Sequence, residues 1–198
     1  MRTWLIYLFI LLTGFTYQNN NPDIVKWVVM SGGSLKVVGS TNINQFTCAI
    51  TDYSKPDTIH VNRNNNPSVK LNGAIRLDVK NFDCHNKPMT DELRKILKAK
   101  TYPKLMIKFV SLNQYPDAHS KNKIINGIVF IELAGVTKKY EVHYKVISAD
   151  NTHINLVGSR DVLFTDFNIT PPKKLGGMIR TNDKLQVEFN VKMKVINL

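Results

Sequence analysis

From residue 184 to 195 the chain alternates without an error: Leu185, Val187, Phe189, Val191, Met193 and Val195 are apolar, while Lys184, Gln186, Glu188, Asn190, Lys192 and Lys194 are polar. Successive side chains of a strand point to opposite faces, so the pattern predicts a strand with one face in a core and one in water. Such a strand belongs to an antiparallel sheet that curls over its own apolar face or packs on a second sheet. The same alternation recurs in candidate strands at 24–30, 34–40, 42–50, 58–61, 68–82, 104–112, 123–133, 138–147 and 152–164. Breakers such as Gly32-Gly33, Pro56-Asp57, Tyr115-Pro116-Asp117, Asp150-Asn151 and Pro171-Pro172 separate them. About eight long strands with short turns predict an all-β fold, an antiparallel up-and-down barrel or a sandwich, in one domain over 24–198.

One segment changes period. Over about 90–100, Thr90 can cap, Asp91 and Glu92 lie in the first turn, and Leu93, Ile96 and Leu97 share a face, with Lys98 and Lys100 at the C-terminal end. This predicts a short amphipathic helix, ended before Tyr102-Pro103, that closes a barrel end or covers a sheet edge.

The chain opens with Met1-Arg2, an apolar run at 4–12 and Thr13-Gly14. A basic start, a short apolar region and small residues read as a secretory signal peptide over 1–17, followed by a polar linker at 18–23. The run is shorter than the about 20 residues that span a bilayer. The 27 basic and 15 acidic residues give a formal net charge of +12. The cations sit singly on outward strand positions, with Lys138-Lys139 and Lys173-Lys174 as the doublets. That spacing predicts a solvated basic face that favours an anionic membrane or envelope surface, not a nucleic-acid groove. The cysteines are Cys48 and Cys84. An even count in an exported chain predicts a disulfide; two buried thiols are the alternative.

Chemistry-bearing patterns are sparse. His60, His85, His119, His143 and His153 occur singly, without metal-ligand spacing, and no nucleophile elbow, P-loop or dinucleotide fingerprint is found. Asp161 and Asp166 flank Phe164 and suit a bulge or turn better than paired acid–base work. These readings predict neither a catalytic residue, nor a metal, nor a cofactor.

Several segments in order carry a resemblance: residues 33–48, containing Gly39, Phe46 and Cys48; Leu77-Asp78-Val79-Lys80-Asn81-Phe82-Asp83-Cys84, leading to Met89; Leu97-Lys98-Ala99 with Tyr102-Pro103; Leu133-Ala134-Gly135-Val136-Thr137-Lys138; and Thr165-Asp166-Phe167-Asn168-Ile169-Thr170-Pro171-Pro172. Together they resemble the YceI-like family of lipocalin-like, polyisoprenoid-binding periplasmic proteins, in a form with a cysteine pair. The resemblance covers 24–195. It implies an exported bacterial protein whose barrel holds a polyisoprenoid, an isoprenoid quinone or another long-chain lipid in its lumen. Family contacts are spread over lumen positions, so the resemblance transfers no single residue.

A closed barrel of about eight strands has an interior that side chains fill or that holds one small ligand. The inward candidates for ligand binding are Phe46, Leu77, Ile107, Phe109, Val129, Ile131, Tyr140, Val142, Tyr144, Leu156, Leu185, Val187 and Phe189. Gly127 and Gly158 fall inward too, where a missing side chain would leave room. The competing expectation is a packed barrel that docks on anionic envelope components through its basic surface.

Overall fold

The computed structural model describes residues 23–63 and 67–197. The signal-peptide reading over 1–17 and all of the linker except Asp23 lie outside the described residues. The strands are β1 (Asp23–Val29), β2 (Gly33–Ser40), β3 (Gln45–Tyr53), β4 (Thr58–Arg63), β5 (Val69–Asp78), β6 (Lys104–Leu112), β7 (Ile124–Leu133), β8 (Val136–Ala149), β9 (His153–Leu163), β10 (Lys173–Lys174), β11 (Ile179–Arg180) and β12 (Lys184–Asn197). Among the described residues one α-helix, α1 (Lys87–Ile96), lies between β5 and β6.

Eight strands close into an antiparallel barrel in the order β1-β4-β5-β6-β7-β8-β9-β12, with β12 returning to β1. The closing strand is the one whose alternation is cleanest. Its odd-numbered residues from Leu185 to Val195 are buried or half-buried, and Lys184, Gln186, Glu188, Lys192 and Lys194 are exposed. Along one edge β12 pairs throughout with β9. Along the other it pairs with β2 at Gln186–Asn190 and with β1 at Met193–Asn197. Thus β1 and β2 are two halves of one bent strand, broken at Gly32, whose φ of 82° suits glycine. β3 extends the sheet beyond β2.

Turn chemistry follows the sequence. Leu133 pairs with Val136, and the two residues between, Ala134 and Gly135, both have positive φ, as a two-residue hairpin requires. At the β8–β9 turn the Asp150 carboxylate accepts from the backbone N–H of Thr152 and His153 at 2.6 and 2.7 Å. The Thr152 hydroxyl, donating to the same carboxylate at 2.7 Å, and then these two backbone bonds hold its pKa down at about 2.

Three expectations need correction. The helix starts earlier than 90 and ends earlier than 100: Asn86 caps it by accepting from Met89 N at 3.0 Å, and Pro88 fits the first turn, where its missing N–H costs nothing. Thr90 is instead buried inside the helix, its hydroxyl accepting from Cys84 N at 3.0 Å. Past the end, Lys98 takes φ 54° and stops the helix. The strand expected over 68–82 ends at Asp78, where the chain turns through a 3-10 segment at Val79–Asn81. Finally, Gly127 and Gly158 face inward but leave no room. A Cβ there would lie 2.7 and 2.8 Å from ring carbons of Tyr144, which covers both.

Cys48 and Cys84 form a disulfide. The backbone pairing of Ala49 with Asp83 sets the two segments side by side. The bond ties the approach to α1 onto β3.

Candidate functional site

The interior carries a series of cavities that begins at one barrel end. The mouth cavity, about 220 Å³, lies between the β2–β3 turn (Thr41, Asn44), Phe46, α1 (Met89, Leu93) and the β10–β11 hairpin (Ile179). Leu93 also borders a second cavity of about 80 Å³, which reaches into the barrel and is lined wholly by apolar side chains. The second shares Leu35, Ile107, Ile131, Val162 and Val187 with a third of about 30 Å³, which ends at Tyr144 and Phe189. A roomier depression of about 570 Å³ lies elsewhere, on the outer barrel face among Lys36, His143, Arg160 and Glu188. It is open to solvent and walled by charged groups, so it is an uneven stretch of solvated surface and not part of the interior.

Nine of the thirteen sequence candidates line the three interior cavities: Phe46 at the mouth, Leu185 in the second, and Ile107, Val129, Ile131, Val142, Tyr144, Val187 and Phe189 around the third. Leu77, Phe109, Tyr140 and Leu156 are buried in the core without lining any of the three cavities. The sequence list left out Leu35, Val37, Leu105 and Val162, all on inward strand positions that the same alternation marks. It also left out Met89, Leu93 and Leu97 of the helix region, whose shared apolar stripe was the available signal.

The far end is solid. Tyr144, 1% exposed, lies flat over Gly127 and Gly158 with its ring 6.1 Å from Phe189. Trp27 meets Tyr115 in a tilted contact with ring centroids 5.7 Å apart, and the Arg63 guanidinium sits 4.7 Å over the Tyr115 ring. The Tyr144 hydroxyl and Trp27 Nε1 are buried without a hydrogen-bond partner among the described residues. Burial alone pushes the Tyr144 phenol above its ordinary pKa, so it remains neutral.

Titratable groups near the lumen serve structure. Tyr140 donates to Asp166 Oδ2 at 2.6 Å, and Asp166 also accepts from Leu163 N at 3.2 Å, anchoring the turn after β9. Burial, then the Asp166 carboxylate, raises the Tyr140 phenol pKa. Asp161 faces outward and pairs with Lys184 at 2.6 Å. The two carboxylates therefore act separately. Among the described residues no three His, Cys, Asp or Glu side chains gather as a metal site would need.

Comparison with solved structures places this architecture. BcnA of Burkholderia cenocepacia superposes with a TM-score of 0.60 at 17% identity, over 81% of this chain and 95% of that one. A polyisoprenoid-binding domain from Saccharophagus degradans, described as implicated in plant cell wall breakdown, gives 0.59 at 10% identity, over 86% and 98%. The YceI protein of Campylobacter jejuni gives 0.51 at 14% identity, over 63% and 71%. The fold is the YceI-like barrel. Identities this low carry the fold and nothing finer. No family model matches the chain, and no curated protein matches it. In this YceI-like barrel the helix and the β10–β11 hairpin frame the mouth, and β12 closes the wall.

Proposed function

We propose that this YceI-like barrel is an exported lipid-binding protein that takes up a polyisoprenoid, an isoprenoid quinone or another long acyl-like chain through the mouth into its lumen. The observation that carries the reading is the series of cavities sharing walls from the mouth to Tyr144, its middle member wholly apolar. The Saccharophagus neighbour, named for polyisoprenoid binding, supports it. Leu93 divides the mouth from the lumen. The mouth cavity alone, about 220 Å³, is smaller than the roughly 300–1,000 Å³ that encloses a drug-sized ligand, so loading requires Leu93 and its neighbours on α1 to move aside. At about 25 cal/mol per Å², a chain burying about 300 Å² gains on the order of 7 kcal/mol before association costs.

The reading requires no catalytic group and no cofactor. The export part of the reading is supported by the apolar run behind Arg2 and by the disulfide, a bond that persists in oxidising compartments such as the periplasm. The test is organic extraction of natively purified protein with mass spectrometry of the extract, followed by titration of the stripped protein with a polyprenol. A stoichiometric long-chain lipid and saturable uptake are expected. No lipid in repeated preparations together with no uptake would overturn it. Uptake should change little with salt, whereas docking of a packed barrel on an anionic polymer would weaken steeply.

A further inference from the structure

We infer that the rim of the lumen mouth is a membrane-docking tip, which sets Ile43, Leu175 and Met178 into the interface of an anionic bilayer with Lys173, Lys174 and Arg180 on the headgroups. Most large apolar residues left at the surface here are partly covered, which is ordinary for a soluble chain. Ile43, Leu175 and Met178 are 68%, 70% and 75% exposed, and among the described residues only Ile124 is comparably bare. The three are brought together from distant parts of the chain. Asn42 donates through Nδ2 to the Met178 carbonyl at 3.0 Å, and its Oδ1 accepts from Arg180 N at 2.9 Å, so the tip of the β2–β3 turn is fastened to the tip of the β10–β11 hairpin. The pairing of Thr41 with Thr181 and the bond from Asn182 Nδ2 to Ser40 Oγ continue the seam.

The charge around this apolar tip has one sign. Neither segment, 39–51 or 167–182, contains an acidic residue, and the hairpin carries three cations within eight positions, Lys173, Lys174 and Arg180. Lys173 and Lys174 are exposed, as is Arg180, which also braces the hairpin through Nε on the Gly177 carbonyl at 2.9 Å. Across the opening, Glu92 is the one acidic side chain lining the mouth cavity. Apolar side chains ringed by Lys and Arg match the two layers of an anionic interface: acyl boundary inside, negative headgroups outside. An acidic protein or polymer would satisfy the cations but leave the three apolar tips in water. The geometry also directs the lumen opening at the membrane surface. Docking borders the proposed lipid site yet does not depend on its contents.

The test uses the full folded protein, stripped of lipid, in co-sedimentation with vesicles of pure phosphatidylcholine and of phosphatidylcholine with about one-third phosphatidylglycerol, chosen because juxtamembrane cations read negative surface potential. Binding to the anionic vesicles at least tenfold above the neutral ones is expected. The variant I43S/L175N/M178Q, in which Asn suits the positive φ of Leu175, should lose at least tenfold in partitioning with an unchanged melting temperature. K173Q/K174Q should lose severalfold on anionic vesicles alone. Equal binding to both vesicle types, or wild-type binding by the apolar variant, would overturn the inference; the latter would mean that dispersed surface charge, as for a soluble polyanion, does the work. Polyprenol uptake from detergent, measured on the apolar variant, whose three positions lie outside the mouth lining, should stay at the wild-type level. Its loss in the wild type would count against the lumen reading and not against docking.

Discussion

At the far end of the barrel Trp27, Tyr144 and Phe189 fill the interior and leave Trp27 Nε1 and the Tyr144 hydroxyl without a partner among the described residues, whereas at the mouth Phe46, Leu93 and Ile96 surround about 220 Å³. Both regions are built from strands with the same inward alternation. The difference lies in what closes them. At the far end β1, β4 and β12 continue the ring of backbone bonds, and large rings lie over glycines that offer no side chain of their own. At the mouth β2 and β3 extend the sheet from β12 outside the closed ring, and a helix and a short hairpin with two paired positions line the opening. A period-2 pattern therefore specifies a wall. Whether the wall encloses a solid or a space is set by side-chain volume and by the elements at its rim.

Four measurements would break or sharpen this contrast. Trp27→Ala, which removes the largest fully buried side chain of the packed end, should destabilise by about 3–5 kcal/mol in chemical denaturation. A loss below about 1 kcal/mol would mean that this end is not the rigid one. Replacing Cys48 and Cys84 by Ala removes a bridge across 36 positions and should cost about 3–4 kcal/mol. Hydrogen exchange should locate that loss in α1 and β3, with the amides around Trp27 retaining their protection relative to the mouth.

Tyr144→Phe deletes a buried hydroxyl that has no partner among the described residues and should raise stability by about 1 kcal/mol in lipid-free protein. A destabilised variant would reveal a bound water or ligand on that hydroxyl. The smallest effect concerns pH. Asp150, held at about 2 by its turn, has a folded pKa below its unfolded value of about 3.9. Its contribution is present above that value and is lost as pH falls from about 4 to about 2. Carboxyl NMR titration should place its midpoint near 2, with the Thr152 amide signal moving in step.

The wall was legible in the sequence because side-chain direction along a strand depends only on position parity. Parity alone places Phe189 and Val187 inward together with Phe46 and Leu77, more than a hundred positions away. The helix was legible in its stripe but not in its start, since Asn86 and Thr90 are both good caps and the choice fell to Pro88 and to the Cys84 amide that Thr90 satisfies. Gly127 and Gly158 misled because an empty position says nothing about a neighbour, and Tyr144 reaches across from the adjacent strand to fill both. Least legible was the hairpin at the mouth. Lys173, Lys174, Ile179 and Arg180 show no period, and their position rests on bonds to Asn42, 136 and 138 positions away.

The seam made by β12 also bears on how the molecule comes into being. Ribosomes deliver a chain from its first residue, yet Val25 finds its partner in Asn197, and Val38 finds one in Gln186. Until the final fourteen-residue strand emerges, β1, β2 and β9 each present an unsatisfied edge, and no ring can form. Contacts this distant in sequence make closure slow. A nascent chain thus stays open and needs shielding from edge-to-edge association, and the barrel forms in one late step when β12 arrives.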